Sequence, residues 1–142
     1  MPRIRIDLPD AFGFATEVPV CIGHINYTQH LDNAQLLALV SEARLRYLTS
    51  LGYASELDIE GVGLVIADVA AQYRSEGPHG ETLVIEMQAE DFNRYGCDFA
   101  WRVSDKASGR EVARGKHGIV CFDYGVRKAV PMPAAFRAKA AA

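Results

Sequence analysis

A single change of period does most to narrow the fold. Between residues 32 and 51 the apolar positions Leu36, Val40, Ala43, Tyr47 and Leu51 recur at spacings of four, three, four and four, which sets them on one face of a helix. Leu37 and Leu48 widen that stripe. Asp32, with Gln35 three residues on, has the form of a capping box, and Gly52 just past the last apolar position is a C-terminal stop. One long helix with one apolar face needs a sheet to bury that face.

The flanking segments supply strands. Val18, Val20 and Ile22 alternate with Glu17, Pro19 and Cys21, so residues 15–23 are expected to form the first strand. After the helix, residues 61–74, 82–92, 96–104 and 110–123 are expected to form four more. They are separated by Gly77-Pro78-His79-Gly80, by Asn93-Arg94-Tyr95-Gly96 and by residues 105–109. Connections this short make an antiparallel run. Leu83, Ile85, Met87 and Ala89 alternate with Glu86, Gln88 and Glu90, while Phe99, Trp101 and Val103 alternate with Asp98, Ala100 and Arg102, so the sheet has one dry and one wet face. Val62 to Val69 is apolar at nearly every position on both faces and calls for a cover, which a second copy of the chain would supply. The expected architecture is α+β: one domain over residues 1–142, an antiparallel curved sheet wrapped around one long central helix. Residues 138–142, rich in alanine, are expected to fray.

Composition enters by exclusion. Fifteen basic and 18 acidic residues give a net charge of −3 with no block of like sign, which removes the concentrated positive footprint that nucleic acid demands. No apolar run approaches the ~20 residues of a membrane span, and the N-terminal residues lack the pattern of a secretory signal, so a cytoplasmic location is expected. Cys21, Cys97 and Cys121 are odd in number and lack CxxC spacing, which predicts reduced, buried thiols and no zinc site.

Chemistry concentrates between the first strand and the helix, in His24-Ile25-Asn26-Tyr27-Thr28-Gln29-His30-Leu31-Asp32-Asn33-Ala34, which runs on to Ser41-Glu42-Ala43-Arg44. This stretch resembles the acyl-CoA thioesterases of the hotdog superfamily, the group of 4-hydroxybenzoyl-CoA thioesterase, whose loop reads Asp-x-Asp-x-x-Gly-His-Val-Asn-Asn with Glu-Ala-Arg further along the helix. Phe92-Asn93-Arg94 and the closing Ala113-Arg114-Gly115, Val120-Cys121-Phe122-Asp123 and Val130-Pro131-Met132-Pro133 are similar to later parts of the same group, so the likeness extends in element order over residues 15–137. The resemblance implies a hotdog fold, a homodimer or dimer of dimers, and hydrolysis of an acyl-CoA or acyl-carrier-protein thioester. Coenzyme A enters only as part of the substrate, and no metal or redox cofactor is implied. Asn26 stands where the family has its catalytic aspartate, His24 replaces the first aspartate, and His30 and Asn33 fall on the family's histidine and second asparagine.

Thioester hydrolysis needs a base or nucleophile, donors for the developing oxyanion, and a channel for the acyl chain. Backbone amides near Leu31 to Ala34, at the helix start, are the expected oxyanion donors. Asn26, His30 and Glu42 are the candidate catalytic residues: His30 as base, because imidazole titrates near neutrality, Asn26 to position water or carbonyl, and Glu42 to orient an imidazole or serve as carboxylate base. His24, Tyr27, Thr28, Asn33, Asp68 and Arg94 are candidates for substrate binding. Asp68 is placed there because it shares a strand face with Leu64 and Ile66. Arg74, Arg94, Lys116, Arg127 and Lys128 could meet the phosphates of coenzyme A, and His79 and His117 carry no assignment. Each residue also has a scaffold role open to it: His30 as a cap, Asn26 as a turn former, Glu42 as an i,i+4 partner of Arg46. Two other functions remain open at this point, a hotdog hydratase adding water to an enoyl thioester and an acyl-CoA binding protein that has lost the family's carboxylate.

Overall fold

The computed structural model describes residues 2–142. The helix, α1, spans Asn33–Ser50, and Asp32 caps it by accepting from the Ala34 and Gln35 amides at 3.0 and 3.2 Å. The reciprocal half of the expected capping box is replaced, because the Asp32 amide donates instead to the His24 carbonyl at 2.9 Å. At the other end Gly52 takes φ 99°, a conformation that favours glycine and ends the helix. Leu36, Leu39, Val40, Ala43, Tyr47 and Leu48 form the buried stripe.

The strands are β1 (Phe14–Pro19), β2 (Gly63–Tyr73), β3 (Thr82–Glu90), β4 (Gly96–Asp105), β5 (Glu111–Asp123) and the short β6 (Lys128–Ala129). They pair antiparallel in the order β1-β3-β4-β5-β2, with β6 on β5. The inner face, carrying Ile85, Met87, Phe99, Trp101 and Ile119, is buried under α1, which lies against β1 and β3. The outer face is lined with paired charges such as Arg102 and Glu86, 2.8 Å apart. β2 is therefore an edge strand whose inner face α1 does not cover, and Ile66, Val69 and Tyr73 are exposed along it. Among the described residues no helix is long and apolar enough to cross a membrane.

The structure differs from expectation in three places. β1 stops at Pro19, because residues 22–24 wind into a 3-10 turn closed by the Cys21 amide donating to His24 Nδ1 at 2.9 Å. The alanine-rich end does not fray. It forms a second helix, α2 (Ala134–Ala141), in which Phe136 is fully buried edge-on to Tyr53 and the Ala140 carbonyl accepts from the Tyr47 hydroxyl at 3.5 Å. Alanine has the highest helix propensity, and one aromatic anchor suffices to dock so short a helix. Of the three cysteines, Cys97 and Cys121 are buried, and burial pushes their thiols up to about 12 and about 11; Cys21 is exposed, on the turn that replaced the end of the strand.

Candidate active site

The loop ahead of α1 is built around the Asn26 side chain. Its Oδ1 accepts from the Thr28 amide at 2.9 Å and from the Thr28 hydroxyl, closing an Asx turn. The turn is completed by the Gln29 amide on the Asn26 carbonyl at 3.0 Å, with Gln29 at φ 70°. Asn26 Nδ2 then donates to Asp32 Oδ1 at 3.2 Å, which ties the turn to the helix cap. A second tie runs to the segment following β2, where the Leu31 amide donates to the Gly77 carbonyl at 2.7 Å and His30 pairs with Pro78. A third is the Tyr73 hydroxyl, which donates to the Asn33 carbonyl at 3.0 Å.

These ties border an open cavity of about 390 Å³. Leu31, Leu36 and Val112 give it an apolar lining, and Asn26, His30, Asn33, Tyr73, Arg74 and Glu76 supply polar groups. That combination, a mostly apolar hollow with a few converging polar atoms, is the usual character of a small-molecule site.

The amides at the start of α1 are not equivalent. Those of Leu31 and Asp32 are committed to the Gly77 and His24 carbonyls, and those of Ala34 and Gln35 to the Asp32 carboxylate. Among the described residues the Asn33 amide makes no hydrogen bond, and Asn33 lines the cavity. A free N–H in the first turn of a helix carries partial positive charge and suits an anion or a developing oxyanion. Asp32 itself is a poor proton acceptor: hydrogen bonds from the Asn26 side chain and from the Gln35 and Ala34 amides hold its carboxyl below the ordinary range. Burial, and then the Asp32 charge, push the Tyr73 hydroxyl up, so it remains a donor. His30 Nε2 lies 3.7 Å from Glu76 Oε1 across the cavity wall.

Of the residues expected from the sequence, Asn26, His30 and Asn33 meet at this cavity. The others lie elsewhere. His24 spends Nδ1 on the Cys21 amide, Thr28 serves the Asn26 turn, and Tyr27 is 95% exposed. Glu42 is exposed beside Arg46 at 3.7 Å and does not line the cavity. Asp68 faces the other side of the sheet from Leu64 and Ile66: a bulge between Ile66 and Asp68 inserts Ala67, which reverses the alternation and delivers Asp68 to Lys116 on the outer face. Arg94 sits in the turn at the far end of the sheet, where its guanidinium covers the Tyr95 ring, because Gly96 pairs with Val120 whereas the cavity adjoins the Tyr73–Ala113 end. Arg74, one of the expected phosphate partners, lines the cavity instead. Tyr73, Ser75 and Glu76 join it without having been singled out. The only local signal for them was the polar close of β2 before Gly77-Pro78, and nothing local links that turn to the loop at residues 24–33.

The model of the thioesterase-like superfamily matches residues 20–140. The long-chain acyl-CoA thioesterase FadM of Escherichia coli (strain K12) is 23% identical over 124 residues, covering 87% of this chain and 94% of that protein. Among solved structures, a 1,4-dihydroxy-2-naphthoyl-CoA thioesterase from Synechocystis superposes with TM-score 0.81 at 18% identity, over 89% of this chain and 93% of its own. A Staphylococcus aureus protein solved in complex with CoA does so with TM-score 0.81 at 15% identity, over 95% of this chain and 85% of its own. The similarity in structure identifies the hotdog fold.

Proposed function

The chain belongs to the thioesterase-like superfamily, and from that premise we propose that it hydrolyses an acyl-CoA or acyl-carrier-protein thioester at the cavity before α1. The observation that carries this reading is that His30 and Asn33, whose amide is uncommitted, both line that cavity. The thioester carbonyl oxygen accepts a hydrogen bond from the Asn33 amide, and His30 accepts a proton from the attacking water as the water oxygen bonds to the carbonyl carbon. Collapse of the tetrahedral species breaks the C–S bond, and the imidazolium returns its proton to the leaving sulfur. The second N–H of the Asn26 amide orients the carbonyl or the water. Arg74 meets a phosphate of the coenzyme A arm, in preference to the distant Arg94. A homodimer, or a dimer of dimers, joined along β2 would cover Ile66 and Val69 and complete the acyl channel, and the exposed apolar edge supports it.

Thiol release measured with a thiol-reactive dye over acyl-CoA esters of graded length tests this reading. His30→Ala is expected to lower kcat roughly 100-fold with little change in melting temperature. One observation favours a second reading, an acyl-CoA binding protein without turnover: the place of the family's carboxylate is held by an amide already engaged to Thr28 and Asp32. Tight acyl-CoA binding with no thiol release at any chain length would select that reading.

A further inference from the structure

We propose that Glu76 is the positioning carboxylate of this site, acting on the reaction through His30. The inference rests on the reading of His30 as the base and adds the group that makes an imidazole effective in that role. An imidazole that must take a proton works best when its other nitrogen is held and the cation it becomes is compensated. Here Nε2 faces Glu76 Oε1 at 3.7 Å. With its N–H on that side, Nδ1 is left as the proton acceptor. The separation lies within ion-pair range.

The carboxylates around the cavity differ in what they are already doing. Asp32 is occupied by the Asn26 side chain and two helix amides. Glu111 is paired with Arg114 and Arg74, and Glu42 stands outside beside Arg46. Among the described residues His30 is the only ion-pair partner of Glu76, and both line the cavity. Glu76 is also presented from a fixed backbone. Arg110 donates to the Glu76 carbonyl at 2.8 Å while holding Ser75 Oγ at 3.0 Å and the Glu81 carboxylate at 2.8 Å. The next residue, Gly77, receives the Leu31 amide from the His30 loop, so the two strands of backbone that carry the pair are bonded to each other. A Cβ on Gly77 would stand 3.2 Å from the Leu31 side chain, and glycine therefore suits that close crossing. With an amide at Asn26, the carboxylate that faces His30 comes from a different segment, after β2. Glu76 takes no proton in the cycle; it offsets the charge of the imidazolium while the proton is on His30.

Steady-state thiol release from the best acyl-CoA ester, for the full chain and for Glu76→Gln, Glu76→Asp, His30→Ala and the double variant Glu76→Gln/His30→Ala, tests the proposal. Glu76→Gln is expected to lower kcat roughly tenfold with KM within about twofold, a loss confined to the chemical step. Glu76→Asp, which keeps the charge, should recover part of that loss, and in the His30→Ala background the glutamine should cost nothing further. Unchanged kcat in Glu76→Gln, or an equal loss with and without His30, overturns the positioning role while leaving the hydrolase intact. A wild-type protein that releases no thiol from any ester overturns the hydrolase reading and this inference together.

Discussion

The two ends of α1 are built on opposite terms. At its carboxyl end the Tyr47, Leu48 and Thr49 carbonyls accept from the Leu51, Tyr53 and Gly52 amides, and α2 packs there with Phe136 against Tyr53 and Ala140 against Tyr47. At its amino end the Asn33 amide is left without a partner beside a cavity, and the loop before it includes a residue at positive φ. Polar groups left unpaired where a ligand would pair them mark the working end of a helix, and an apolar seal marks the structural one.

Substitutions that lower stability at one end of α1 should leave activity at the other end in place. The largest effect is expected for Phe136→Ala, which empties a fully buried site and should cost about 3–5 kcal/mol in denaturant unfolding. Thiol release per folded molecule should stay within about twofold of wild type. A parallel fall in kcat would show that the two ends are not independent.

His117, on β5, is buried with Nδ1 accepting from Trp101 Nε1 at 2.9 Å. Burial, and next the Arg44 charge, push its imidazole down to about 4. The unfolded chain therefore binds a proton that the folded chain refuses. Stability should fall as pH drops from about 6.5, the ordinary value for histidine, toward about 4. Melting temperature against pH for wild type and His117→Gln checks this, with a flatter acid limb expected for the variant. An unchanged limb would assign the acid sensitivity to other groups.

The smallest effect sharpens the amino end. Asn26→Asp sets a second carboxylate against Asp32, where the amide now donates at 3.2 Å. Like charges there favour protonation of one of them in the folded state, so the loss of melting temperature relative to wild type should be widest at neutral pH and narrow as acid neutralises the pair. A uniform loss across pH would point to the broken turn at Thr28. If the same variant released thiol faster than wild type, and His30→Ala left hydrolysis unchanged, the base would be a carboxylate and not His30.

Much of this was legible without coordinates, because the signals were local. The stripe from Leu36 to Leu48, the Asp32 cap and the Gly52 stop define α1 within one residue at each end. The alternation in β3 and β4 names their buried faces, although Ala100, expected on the wet side, is buried, and Asn26, His30 and Asn33 lie within eight residues of one another. Two of the misplaced residues fail for reasons of strand pairing. Asp68 was assigned by an alternation that the Ala67 bulge interrupts, and Arg94 by a turn whose end of the sheet depends on strand order. Ala138 to Ala142 were read as having nothing to pack because Tyr47, the partner of Ala140, lies 93 residues away.

The residues by themselves determined the period of each element, the apolar face it buries and the polar loop that leads into the helix, since these follow from backbone geometry and side-chain character over a few neighbours. The tertiary structure alone decided which amide of α1 stays free and that Glu76 faces His30. Both depend on the pairing of β2 with β5 and on the meeting of two loops through the Leu31 amide and the Gly77 carbonyl. Hydrogen bonds between segments that far apart in the chain are selected by the whole packed arrangement, and no local pattern encodes them.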